Sequence, residues 1–224
     1  MPCRLARRHP VHGVALGAAF GLRGRRDRPD GLSWAAESGR RPTARAVSSR
    51  GVTSHLLLIA GRSGVGKSSA AFALHDRLTA DGVRHAVIEG DLLDLAWPAP
   101  GEHRLAERNL AAVWANYREL GYERLIYTNT VSVLHADEIA AAMGDDPVVT
   151  SVLLTASDDV AHARLSGRET GGALAAHVQR SDAAARTLDA QTGSGVHRAS
   201  TDGRTVAEVA AALHELWLSP GRSR

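Results

Sequence analysis

The sequence predicts an α/β fold, a five-stranded parallel sheet with helices on both faces, and three observations predict it. Short runs rich in Leu, Ile and Val alternate with longer segments of helical period between residues 53 and 218. The runs are almost continuously apolar, as strands buried on both faces must be. The first of them passes through a glycine-rich loop straight into a helix, with no hairpin signal between.

Leu56 to Ala60 reads as the first strand, and Gly61, Gly64 and Gly66 break it. Ser68 to Thr79 places Ala71, Phe72, Leu74 and Leu78 at helical spacing, and Asp81-Gly82 supplies a turn. Arg84 to Glu89 is the second strand; a strand–helix–strand unit of this length is a right-handed parallel crossover, so both strand ends open on one edge. Leu92 to Gly101 is irregular, since Trp97-Pro98-Ala99-Pro100 cannot continue a helix. Glu102 to Leu120 is expected as one long helix, with Leu105, Leu110, Val113, Trp114, Tyr117 and Leu120 largely on one face and Gly121 closing it.

Arg124 to Thr128 is the third strand, Ser132 to Met143 a helix ended by Gly144, and Val148 to Thr155 the fourth strand. Ser157 is placed as the N-cap of a helix to about Leu165, followed by a glycine-bearing loop from Ser166 to Gly172. A polar, Ala-rich helix spans about Ala173 to Ala190, Val196 to Ala199 forms a short fifth strand, and Thr205 to Leu218 is the last helix. Thr205 with Glu208 makes a capping box at its start. Ligands are expected at the carboxyl ends of the strands, the edge shared by Gly61–Ser68, Glu89–Asp91, Thr128–Thr130 and Ala156–Asp158.

The loop Gly61, Arg62, Ser63, Gly64, Val65, Gly66, Lys67, Ser68 fits G-x-x-x-x-G-K-[ST], with Ser69 following on the helix. Its glycines let successive backbone N–H groups turn inward around phosphate oxygens, and the helix N-terminus adds partial positive charge. Lys67 is placed to reach the β- and γ-phosphates and the Ser68 hydroxyl to hold a bridging magnesium ion. Composition supports the reading: of 27 cationic residues, Lys67 is the sole lysine. An ammonium is a compact point charge where arginine is a broad fork, and this loop calls for the former. Nucleotide contacts are therefore assigned to Gly61 through Ser69.

With Glu89-Gly90-Asp91, the stretch Arg164 to Arg168 and Thr201-Asp202-Gly203-Arg204, this loop gives residues 53–218 a pattern that resembles the small P-loop kinases. These are nucleoside-monophosphate-kinase-like P-loop NTPases and include adenylylsulfate, gluconate and shikimate kinases and the chloramphenicol phosphotransferases. The resemblance implies ATP and Mg2+ as cofactors and a hydroxyl of a small molecule as acceptor. It makes Asp91 the catalytic base, with a share in the metal's environment, and Lys67, Arg164 and Arg168 the groups that stabilise the transferring phosphoryl group. Asp91 also has the reading of a cap for the segment from Leu92, and the arginines that of solvated surface.

The resemblance further places Asp202 and Arg204 beside the adenine. It docks the acceptor near Trp97, His103, Arg104, Arg108, Trp114 and Tyr117, of which Trp114 and Tyr117 read equally well as core. The third strand ends Tyr127-Thr128-Asn129-Thr130 with no Walker B aspartate, so either Asp91 and Glu89 supply that charge, as the resemblance implies, or hydrolysis is not this site's business. The Phe-Ile-Ser-Pro-like stretch of the adenylylsulfate kinases is missing from the third-strand region, and the lid signature of the gluconate kinases is absent too, so neither substrate is assigned. A nucleotide-sensing module and a toxin-like kinase acting on a sugar nucleotide are the alternative readings.

Charge is unevenly distributed. Residues 1–50 hold 11 arginines against Asp27, Asp30 and Glu37, a balance of +8, whereas residues 51–224 hold 15 arginines and Lys67 against 21 acids, a balance of −5. Residues 1–52 are expected as a disordered Arg-rich tail and 219–224 as a flexible C-terminus. The tail reads as a solvated arm or, alternatively, as a basic arm for nucleic acid or anionic membrane, or a targeting peptide. The acidic body argues against a nucleic-acid partner, which would need its positive stripe on the folded part. Cys3 has no partner for a disulfide, and the longest apolar run is far short of a membrane span, so a cytoplasmic setting without membrane partners is expected. Oligomeric state is not readable.

Overall fold

The computed structural model describes residues 52–99, 101–167 and 171–218. The five strands are β1 (His55–Ala60), β2 (Ala86–Glu89), β3 (Arg124–Thr128), β4 (Val148–Thr155) and β5 (His197–Ser200). The helices are α1 (Lys67–Ala80), α2 (Leu105–Glu119), α3 (Ala136–Met143), α4 (Asp158–Ser166), α5 (Gly172–Gln191) and α6 (Val206–Leu218). All strand pairs are parallel, in the order β2-β3-β1-β4-β5.

The alternation of side chains along β1 divides two cores. Leu56, Leu58 and Ala60 face one side with Leu110 and Trp114 of α2, Ile139 and Met143 of α3 and Leu188 of α5. Leu57 and Ile59 face the other with Ala70, Ala71, Leu74 and Leu78 of α1 and Val209, Leu213 and Trp217 of α6. All of Leu56 to Ala60 is fully excluded from solvent. Each of the four larger side chains contributes about 1.5–3 kcal/mol by burial. β1 therefore sits at the centre of a sheet covered by helices on both faces. Its neighbours are β3 and β4; from β1 the chain passes to β2 and back to β3 on one side, then crosses to β4 and β5 on the other, so the topological switch point lies where residues 61–66 leave β1.

Several boundaries differ from the sequence reading, four of them for a reason seen in the backbone or a shift of register. The helix expected from Glu102 begins at Leu105, because Arg104 adopts a left-handed backbone (φ 48°) between it and a 3-10 turn at Gly101–His103. The helix expected from Ser132 is split: a 3-10 turn covers Ser132–Leu134, His135 leaves the helical region (φ −125°), and α3 starts at Ala136. β2 starts two residues late, where His85 Nδ1 is bonded to the Val83 carbonyl at 2.7 Å. β5 is shifted by one residue to His197–Ser200. The expected tail and C-terminal segment lie outside the described residues, apart from Val52.

The capping box forms as spaced. Thr205 N donates to Glu208 Oε2 at 2.8 Å, and Glu208 N donates to Thr205 Oγ1 at 3.2 Å. These bonds, backbone first and hydroxyl second, hold the Glu208 carboxyl below its ordinary range. Thr205→Ala is expected to cost about 1 kcal/mol in chemical denaturation. No loss would mean that α6 is held by its packed face alone.

Candidate functional site

The loop after β1 is shaped by three glycines with positive φ: 145° at Gly61, 82° at Gly64 and 100° at Gly66. A Cβ on Gly66 would meet nothing within 4 Å, so its backbone angle demands glycine there while the space above it stays open. α1 starts at the next residue with no side-chain cap and no acid in its first turn, which leaves its first N–H groups facing that space. Lys67 Nζ lies across the loop, donating to the Gly61 carbonyl at 2.8 Å and the Arg62 carbonyl at 3.3 Å. Ser68 and Ser69 follow on α1, both partly buried.

Asp91 stands at the end of β2, inside a 3-10 turn (Gly90–Leu92) whose capping position is Glu89. Its Oδ1 accepts from Asn129 Nδ2 at 2.5 Å, while Asn129 Oδ1 accepts from Val131 N at 2.9 Å, which fixes the amide's orientation. Asn129 N donates to the Ile59 carbonyl at 3.3 Å and Gly61 N to the Thr130 carbonyl at 3.1 Å, so the segment that holds Asp91 is also tied to the start of the glycine loop. Asp91 is open to solvent on one side. Even so, desolvation by the surrounding protein, reinforced by Glu89 and Asp94, raises its pKa above the ordinary carboxylate value. Lys67 and the Thr130 N–H act in the opposite direction. Lys67, at the start of α1, is thus within electrostatic reach of Asp91 at the end of β2.

Two buried hard oxygens at this edge suit Mg2+: Glu89 Oε1 and Thr128 Oγ1 have no hydrogen-bond partner among the described residues. The two residues are register partners at the ends of β2 and β3. Unsatisfied buried oxygens of this kind are costly, and the water shell of a divalent cation beside them would satisfy them, so the donor set fits.

Beside Asp91 opens a cavity of about 610 Å³, lined in part by Asp94, Arg104, Glu107, Tyr127, Asn129 and Ser132. Tyr127 packs against Gly90, where a Cβ would fall 2.3 Å from the phenol oxygen. Burial first, then the charges of Asp91, Asp94 and Glu107, push its pKa up to about 12. A second hollow of about 600 Å³ lies at the opposite, amino edge of the sheet, among Val52, Trp114, Arg118 and Asp145, and offers no group placed for chemistry at Asp91.

The arginines stand differently from their expected roles. The Arg62 side chain, only 3% exposed, turns away from the loop's hollow. It is bonded to Asp158 on α4 and Asp182 on α5, and donates to Ser181 Oγ at 2.9 Å. Ser181 Oγ in turn donates to the Ser63 carbonyl at 3.0 Å. Arg164 braces the outside of the loop: it donates to the Val65 carbonyl at 3.2 Å and to Thr201 Oγ1 at 2.9 Å.

Asp202 accepts the Ser157 N–H at 2.9 and 3.2 Å, and Arg204 donates to the Glu208 carbonyl at 2.9 Å, so the first holds the start of α4 and the second the start of α6 in this structure. Arg168 lies outside the described residues. Trp114 is fully buried and Tyr117 packs on the same core, whereas Trp97 is 75% exposed and Arg104 lines the cavity. Asn129, Tyr127, Asp158, His162, Ser181 and Asp182 were not singled out by the sequence. Asn129 carried a signal, one residue beyond a strand end, but Ser181 lies 119 residues from Arg62 and carried none.

No family model matches the chain, and no curated protein matches it. Among solved structures it is similar to a tunicamycin resistance protein from Deinococcus radiodurans, with 24% identity, a TM-score of 0.50, and 71% of this chain and 93% of that one covered. It is also similar to a gluconokinase from Sinorhizobium meliloti (20%, TM-score 0.47, covering 74% and 95%). A shikimate kinase from Acinetobacter baumannii in complex with shikimate aligns at 14%, TM-score 0.48, covering 75% and 94%. The chain shares its α/β fold with the tunicamycin resistance protein.

Proposed function

We propose that the chain is an ATP- and Mg2+-dependent kinase that phosphorylates a hydroxyl of a small molecule. One observation carries this reading: Asp91 lies within electrostatic reach of the sole lysine, at the border between the glycine loop and a cavity of small-molecule size. The loop amides and Lys67 would hold the triphosphate. Ser68, backed through water by Glu89 and Asp91, would hold the magnesium ion, which neutralises phosphate charge when bound.

Asp91 would orient the acceptor hydroxyl and take its proton as the hydroxyl oxygen bonds to the γ-phosphorus. The bond from that phosphorus to the β,γ-bridging oxygen breaks, and ADP leaves. Arg164 would contribute by fixing the loop's shape, and the part given to Arg168 rests on the sequence resemblance alone. Fold and motif agree with this assignment, and the shared fold with a tunicamycin resistance protein is consistent with a hydroxyl acceptor.

The test is a screen of hydroxyl metabolites for ATP-dependent phosphate gain by mass spectrometry, alongside calorimetry with MgATP. Phosphate gain on one acceptor is expected. Absence of ATP binding in folded protein would end the proposal. pH gives a second check. A base must be ionised, and Asp91's pKa is raised, so kcat/KM should fall with decreasing pH at values above the ordinary carboxylate range. A rate that stays flat down to that range would remove Asp91 from the role.

A further inference from the structure

The cavity beside Asp91 has a charge that bears on its occupant. Among the described residues, Asp94, Glu107 and Glu138 line it and Asp91 stands at its border, bonded to Asn129 of the lining, against one fixed cation, Arg104, and one histidine, His135. Arg104 is spent on Glu107, with its Nε 3.3 Å from Oε1. His135 and Glu138 are 3.9 Å apart, beyond hydrogen-bond distance. Arg108, on the same helix, is exposed and does not line the cavity.

One buried polar group points to a ligand. Ser132 is 1% exposed and its hydroxyl has no partner among the described residues, and Tyr127, 5% exposed, stands in the same lining with its phenol against Gly90. Both line the cavity. Buried hydroxyls left unsatisfied cost free energy that a polar ligand recovers. Carboxylates in a partly desolvated hollow disfavour an anion and favour a cation.

Resting on the kinase reading above, we infer that the acceptor is a polyhydroxy compound bearing a protonated amine, an amino sugar or amino alcohol, rather than a carboxylated or phosphorylated one. Asp94 and Glu138 receive the ammonium, since Glu107 is already paired. Ser132 and the Tyr127 phenol meet neutral hydroxyls, and Asp91 takes the proton of the hydroxyl that accepts the γ-phosphoryl group, with ADP as the leaving product.

The experiment uses the full chain with MgATP and two sets of acceptors matched in skeleton and differing in charge. One set is glucosamine, glucose and glucuronate; the other is 2-amino-1,3-propanediol, glycerol and glycerate. Phosphate transfer is read by mass spectrometry and ADP release, and ATP affinity is measured on the same sample. The cationic member of at least one set is expected to exceed its anionic counterpart at least tenfold in kcat/KM. That preference should collapse to within about twofold in an Asp94→Asn/Glu138→Gln variant that retains ATP affinity.

Transfer to the neutral or anionic member at an equal or higher rate would overturn the amine assignment while leaving the kinase reading standing. A preference that survives the double substitution would overturn it too. ATP binding without transfer to any of the six would also overturn it, whereas loss of ATP binding itself would bring down the kinase reading beneath it.

Discussion

Asp91→Asn should leave MgATP affinity within about twofold of the parent while phosphoryl transfer falls by about 10²–10⁴-fold, the span that a positioned general base supplies. The substitution keeps shape and the contact to Asn129 but removes the lone pair that accepts the acceptor's proton. The nucleotide cradle is kept, since Lys67 stays anchored to the Gly61 and Arg62 carbonyls and the amide oxygen still accepts a hydrogen bond from a metal-bound water. Lys67→Ala inverts the pattern, because the lost ammonium is a ground-state contact to phosphate, and ATP binding itself is expected to disappear from calorimetry.

The same Asp91→Asn protein should be no less stable thermally at pH 7. Asp91's folded pKa is raised, so its ionised form is disfavoured by folding, and the stability it gives while protonated is lost as pH rises through that value. A neutral amide removes this cost, and the advantage should vanish at acid pH, where both proteins are uncharged at this position. Loss of activity with retained or raised melting temperature is the signature of a strained functional group. Full transfer activity in Asp91→Asn, or a collapse of stability at pH 7, would show that the carboxylate is structural.

How much of this was legible in the sequence depends on range. β3 and β4 were bounded to the residue, since dense β-branched and leucine runs flanked by glycine turns are local signals, and the Thr205–Glu208 box formed as its spacing required. The breaks at Arg104 and His135 were missed because both fall inside segments of sound helical period, and only tertiary packing puts those residues off the helix. The phosphate cradle was visible because its chemistry is contiguous. Arg62 was legible only as part of that cradle, since its true partners come from α4 and α5, far along the chain. Arg164 was assigned to the phosphates through resemblance, yet it grips loop carbonyls and Thr201, a role that no pairwise spacing encodes.

Those contacts make the Arg62 cluster asymmetric, and the asymmetry predicts opposite outcomes for its two halves. Changing both Asp158 and Asp182 to alanine is expected to strand the buried Arg62 guanidinium, whose uncompensated charge costs about 3–5 kcal/mol of folding stability. Arg62→Leu should cost far less. Arg62 is 3% exposed, but Asp158 is 72% exposed and Asp182 27% exposed, so water can hydrate the two acids once the arginine is gone. Asp182 also retains His162, whose Nε2 lies 2.8 Å from its carboxylate and, ahead of Arg62, keeps its pKa low.

Function should divide the other way. Arg62 Nε fixes Ser181, and Ser181 Oγ holds the Ser63 carbonyl, so Arg62→Leu slackens the grip of α5 on the glycine loop and should raise KM for ATP several-fold with little change in stability. Chemical denaturation of Arg62→Leu, Asp158→Ala/Asp182→Ala and the triple variant closes the cycle. The triple variant should recover most of what the double variant loses, because it buries no unpaired charge. Equal losses in the two halves, or no recovery in the triple variant, would mean that the guanidinium reaches solvent and that this cluster does not tie the loop to α4 and α5.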